Sequence, residues 1–218
     1  TLIFMSENWG GGKGTKYVGL LKEGMGWIFN KRALLILGLA QTFFMIGAYS
    51  YWEVLIPLYS ERGIPETFFG LIGTAMHFPA IITSAYVHRF TRRIGVAKFT
   101  LMFSWAWTAF CIPMIFLATP GSTIFLAVIL ESLFATRWPA VGVWQNALIP
   151  SDMRATVLSG LSTMRNIGES FVLFALSPFV QAKGTSWGLL AAIILTTMAN
   201  CILFLSKEND VTKVQQTL

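Results

Sequence analysis

Residues 187–205 read WGLLAAIILTTMANCILFL, nineteen positions with no ionisable side chain except Cys201. At 1.5 Å per residue a helix of this length reaches about 30 Å, the thickness of a bilayer's hydrocarbon core. Backbone groups find no water in lipid, so such a span is expected to be helical. Five more apolar segments of about that length precede it, at 33–59, 67–87, 97–117, 123–149 and 155–180. Pro57, Pro79, Pro113, Pro139 and Pro178 fall within them and are expected to kink or end their helices.

Composition agrees with a lipid environment. The chain has 218 residues, of which 55% are hydrophobic and 12% charged, and its mean hydropathy is +0.63. A soluble domain carries about 25% charged residues. The expected fold is therefore all-α, a polytopic membrane protein with six transmembrane helices. Three regions follow: 1–32, with a cytoplasmic loop and an amphipathic helix; 33–206, the helix bundle; and 207–218, a cytoplasmic tail.

The net charge of +6 does not point to nucleic acid, because the basic residues sit in short clusters between apolar runs. Lys13, Lys16, Lys22, Lys31, Arg32, Arg89, Arg92, Arg93, Lys98, Arg154, Lys207 and Lys213 fall on one side of the expected bundle, against Arg62 and Lys183 on the other. Basic residues collect on the cytoplasmic face and meet anionic lipid there. Both ends are thus expected inside, in a bacterial-type inner (plasma) membrane. The opening TLIFMS resembles the last turn of an earlier apolar helix, and no signal-peptide layout is present. NWGGGKGTK (8–16) lacks the spacing of a phosphate-binding loop and reads as a flexible linker. KYVGLLKEGMGWIFNKR (16–32) sets Tyr17, Leu21, Trp27 and Ile28 among lysines, as in a short helix lying on the inner leaflet.

Ionisable groups divide the segments. The third and sixth have none apart from cysteine, whereas the first, second, fourth and fifth carry Glu53, His77, Glu131 with Arg137, and Arg165 with Glu169. A charge at mid-membrane costs at least about 2.5 kcal/mol, so these residues are expected to face protein or a wet cavity. The third and sixth segments are left for the lipid side. The distribution repeats every three segments, a hint of two three-helix units of opposite orientation.

Depth, counted at 1.5 Å per residue from the cytoplasmic ends, puts Arg165 at about 15 Å, Arg137 at about 18 Å, Glu169 at about 21 Å and Glu131 at about 27 Å. A midplane cluster of Arg165, Glu169 and Arg137 is expected, its surplus positive charge open to an anionic group or to Glu131. The same charges can equally hold the helices in register. His77 can simply bond a backbone carbonyl, and Glu53 can line a cavity or sit at the interface. Trp138, Gly142 and Gln145 fall on the Glu131 stripe, where Trp138 and Gln145 can meet a solute.

Two stretches carry a family resemblance. SAYVHRFTRR (84–93) is similar to the Gly-x-x-x-Asp-Arg-x-Gly-Arg-Arg signature of the major facilitator superfamily, with Arg89, Arg92 and Arg93 matched and Ser84, His88 and Thr91 replacing Gly, Asp and Gly. IPSDMRATVLSGLS (149–162) resembles the start of that family's eleventh helix. The resemblance implies the C-terminal six-helix half of a twelve-helix transporter, its N-terminal half a partner not contained in 1–218. It further implies that the first and fourth segments line the cavity, the second and fifth meet the other half, and the third and sixth are peripheral. Two bundles would rock about a midplane site, moving a small solute by alternating access, with protons as the possible coupling ion. Glu131 and Glu169 would be the protonatable switch, and Arg89, Arg92 and Arg93 an inner gate or a lipid-headgroup contact.

Alternatives are an uncoupled facilitator and a six-helix channel or membrane scaffold. No cofactor is expected. Neither Cys111 nor Cys201 has metal-site or disulfide spacing, and both read as packing residues. With only two histidines and no Gly-x-Ser-Gly or His-Glu-x-x-His run, an intramembrane enzyme is not expected.

Overall fold

The computed structural model describes residues 14–215, and every regular element among them is helical. α1 is Gly14–Asn30, α2 Arg32–Glu61, α3 Phe69–Ile94, α4 Val96–Cys111, α5 Pro113–Phe116, α6 Pro120–Leu148, α7 Arg154–Lys183 and α8 Thr185–Gln215. The expectations for TLIFMS and for the glycines before Gly14 lie outside the described residues.

Among the described residues, four helices are long and apolar enough to cross a membrane: Arg32–Glu61, Val96–Phe116, Pro120–Leu148 and Thr185–Leu205. A fifth is added if Glu66–Thr83 and Ala85–Ile94, bent by 46°, form one span. α7 has the length, at 30 residues, but Arg165, Glu169 and a run of Ser, Thr and Asn dilute its apolar content. The chain is a multi-pass helical membrane protein, and the expected sixth span rests on the length of α7.

Local chemistry explains most boundaries. α6 starts at Thr119, whose hydroxyl accepts the Ser122 N–H at 3.2 Å, followed by Pro120 in the first turn, where no donor is needed. α3 and α7 each end on a glycine with positive φ, 85° at Gly95 and 95° at Gly184, so the chain reverses within one residue. Pro113 breaks the third apolar segment into α4 and α5, whereas Pro57, Pro79, Pro139 and Pro178 lie within continuous helices. The stretch HRFTRRIGVAK (88–98), which joins the second and third expected segments, is helix on both sides of Gly95: Arg92 and Arg93 occupy the last turn of α3, and Lys98 the first turns of α4. The expected tail is also helical as far as Gln215, where α8 ends.

The helices form a curved row in the order α7, α2, α8, α4, α6, α3, each packed on the next. α2 and α6 also touch directly, with α8 and α4 bridging them on one side. Phe44, Tyr51, Val54 and Leu58 of α2, Trp107 of α4, and Leu189 and Ala192 of α8 share one core cluster. Close approach, rather than apolar burial, drives helix association in lipid. Gly47 shows it: a Cβ there would lie 2.6 Å from Thr196 Cγ2 and 2.9 Å from the Ala192 carbonyl oxygen. Gly47→Val is expected to part α2 from α8 and cost about 1–3 kcal/mol, read as a lower midpoint of thermal inactivation in detergent. An unchanged midpoint would contradict the packing.

A buried polar seam joins the bridging helices. Thr108 donates to Thr196 Oγ1 at 2.9 Å, and Asn200 Nδ2 donates to Thr108 Oγ1 at 3.0 Å. Outside the bundle the surface is apolar, with Ile81, Phe116, Phe174 (85% exposed) and Leu205 all uncovered. In water such a surface would aggregate; in a bilayer it is the natural boundary with lipid and partner helices.

α1 docks rather than standing free. Ile28 is fully buried in a cluster with Leu34 of α2, Ile149, and Val157 and Leu161 of α7, and Lys31 sits 5.0 Å over the Trp27 ring. The sequence reading expects this segment on a lipid leaflet; Met25, Trp27 and Ile28 pack on the start of α7, while Phe29 stays 59% exposed.

Candidate functional site

α6 organises the polar interior. Glu131, Phe134, Trp138, Gly142 and Gln145 recur at helical spacing and share one face. Glu131 is 7% exposed. Its Oε2 accepts the indole N–H of Trp52 from α2 at 3.2 Å, and its Oε1 lies 3.5 Å from His77 Nδ1 of α3. A carboxylate taken out of water needs such partners. His77 itself is 70% exposed at the side chain, so a largely open imidazole stands beside an enclosed acid.

One turn further along, aromatic rings take over. Trp52 meets Phe134 edge to face at 4.7 Å, and Phe134 stacks on Trp138 at 5.9 Å. The guanidinium of Arg165, from α7, lies 5.1 Å from the Trp138 ring, a cation–π distance. Arg165 Nε is 3.4 Å from Glu169 Oε1, four residues on, while its Nη2 donates to Ser162 Oγ at 3.0 Å and Asn166 Oδ1 at 3.5 Å. Two carboxylates, Glu131 and Glu169, thus stand at the two ends of one aromatic stripe. Each has a basic partner within 4 Å.

Below this pair lies a small cleft of about 40 Å³, lined by Gly38, Gln41, Thr42, Gln145, Leu158, Leu161, Ser162 and Arg165. It opens where α2, α6 and α7 meet. Gln41 is 4% exposed, and neither its Nε2 nor its Oε1 has a hydrogen-bond partner among the described residues.

The expected trio does not assemble. Arg165 and Glu169 are together, but Arg137 is elsewhere: its Nε donates to Ser104 Oγ of α4, and its guanidinium sits 3.7 Å from the ring centroid of Phe44 on α2. Depth misled because azimuth was left out. Arg137 and Trp138 are neighbours in depth but about 100° apart around the helix, so Trp138 meets Arg165 while Arg137 turns into the packing between α2, α4 and α6. Arg137 makes no ion pair among the described residues, and its Nη1 is buried without a partner.

The other candidates separate as well. Gln145 lines the cleft. Glu53 is exposed beside Trp52 and makes no ion pair among the described residues. Arg89, Arg92 and Arg93 are exposed on the last turns of α3, with Arg89 6.0 Å over the Tyr86 ring. His77, for which a backbone bond sufficed in sequence, belongs to the Glu131 site. Gln41 was passed over because only ionisable groups were counted; the sequence signal was an amide in the middle of ILGLAQTFFMIG.

The family model described as Major Facilitator Superfamily matches residues 37–217. No curated protein and no solved structure matches the chain.

Proposed function

Because the chain belongs to the major facilitator superfamily, whose members carry solutes across membranes, we propose that it is the six-helix C-terminal half of a secondary transporter working by alternating access. In this reading α2 and α6 line the central cavity, α3 and α7 face a second six-helix bundle, and both ends of 1–218 lie in the cytoplasm of a plasma membrane. A small solute binds along the aromatic stripe of α6, with Arg165, Gln145 and Trp138 among its contacts. Transport is coupled to protons through Glu131 and Glu169.

One observation carries the coupling. Glu131 is enclosed, bonded by Trp52 and faced by the exposed imidazole of His77. An enclosed carboxylate reached through a solvent-accessible titratable group can take up and release a proton without opening the bundle. Rocking of the halves would alternate which side of the membrane His77 contacts. Arg89, Arg92 and Arg93, at the cytoplasmic end of α3, would serve the inner gate or hold anionic lipid.

Coupling is tested in membrane vesicles from cells expressing the intact transporter, incubated with a panel of labelled solutes under an imposed proton gradient. Accumulation above the external concentration is expected for the transported solute, and it should vanish when a protonophore collapses the gradient. Accumulation that survives the protonophore would leave transport standing and remove the proton.

A further inference from the structure

We propose that the cleft between α2, α6 and α7 is the solute's polar subsite, and that it takes the carboxylate of a small organic acid bearing a hydroxyl or amide beside that group. The inference rests on the transport reading above and names its substrate class. Gln41 carries it. An amide that is buried with both its donor and its acceptor unpartnered loses the hydrogen bonds it would have in water. Gln41 is at the same time one of the residues that line the cleft. A ligand group able both to donate and to accept would satisfy it, which a hydroxyl or amide does and a methyl does not.

The charge comes from the opposite wall. Arg165 uses Nε towards Glu169, and Nη2 towards Ser162 and Asn166, so the two N–H groups of Nη1 have no assigned partner among the described residues. A planar fork with open donors suits a carboxylate. Volume limits the rest: about 40 Å³ holds about three water-sized groups, enough for a carboxylate head and one neighbouring polar atom. A ring would remain outside, against Phe134 and Trp138. Glu169 is then an internal competitor. Its carboxylate occupies one edge of the guanidinium that the solute must engage, so solute binding loosens Glu169 from Arg165 and frees it to take up a proton. Occupancy and protonation are thereby tied through one guanidinium.

Equilibrium binding of radiolabelled lactate, propionate and lactamide to the purified intact transporter tests this. Lactate should bind, propionate about tenfold more weakly for want of the hydroxyl, and lactamide not at all. Arg165→Gln should weaken lactate at least about tenfold. Glu169→Gln should tighten it about fivefold by removing the competitor. Gln41→Leu should erase the preference for lactate over propionate. The double variant Arg165→Gln with Glu169→Gln, which keeps the local charge balanced, controls for misfolding and should bind lactate as weakly as Arg165→Gln alone. Lactamide binding as well as lactate, absence of binding by either acid, or a Gln41→Leu protein that still prefers lactate overturns the assignment. A protein that carries a neutral solute down a proton gradient would overturn it too, while leaving the transport reading intact.

Discussion

Glu131→Gln is expected to reduce gradient-driven accumulation by the intact transporter to the level that wild type shows with its proton gradient collapsed. The substitution isolates one property. Glutamine keeps the volume of the side chain and an oxygen that can accept the Trp52 N–H, now at 3.2 Å from Glu131 Oε2, so the packing between α2 and α6 persists. What disappears is the charge and the site for a proton. Exchange of labelled for unlabelled solute, which needs no net proton movement, should continue. His77→Gln should have a smaller effect, a loss of about tenfold or less, because an exposed imidazole can be replaced by water in handing a proton to Glu131. Full accumulation by the Glu131→Gln protein would show that this carboxylate only fastens Trp52. Loss of both accumulation and exchange would instead place it in solute binding.

Spans and site were legible in the sequence to different degrees, for physical reasons. A lipid-embedded helix announces itself by composition, and the four most apolar helices fall within two or three residues of their expected starts. Charge along the chain marked Glu131, Arg137 and Glu169, which are buried, but also Arg165, which is half-buried, and Glu53 and His77, which are exposed. Pairing was harder, because sequence reports position along a helix while contact depends equally on rotation about it. Arg165 and Glu169, on one helix and four residues apart, needed no such information. Arg137 did, and its partners are an aromatic ring and a hydroxyl, neither of which charge counting considers. The ends of α3 and α8 were read too short for a related reason: basic residues suit a helix end in water as well as a loop, so HRFTRR looked like a connection and folded as the last turns of a helix.

Arg137→Ala is expected to cost about 2–5 kcal/mol, the range for emptying a long, fully buried site, whereas Arg137→Met should fold as well as wild type. Arg137 is 2% exposed, wedged between Phe44, Ser104 and the body of α6, with one nitrogen unsatisfied and no acid to balance its charge among the described residues. Three terms compete there. The cation–π contact with Phe44, desolvated here, contributes about 2 kcal/mol or more, and the bond to Ser104 about 1–3 kcal/mol. Against them stands the cost of holding an unpaired charge in a dry interior, several kcal/mol even after relaxation. These terms nearly cancel, so the volume of the side chain decides its contribution to stability. Methionine supplies that volume without the charge and sets a sulfur against the Phe44 ring; alanine leaves a void between three helices. Thermal inactivation of the purified intact transporter reads the difference directly. Equal loss in both variants would mean that the guanidinium, rather than its bulk, holds α4 to α6. A methionine variant that stays folded yet no longer accumulates solute would give Arg137 a part in transport that packing alone does not require.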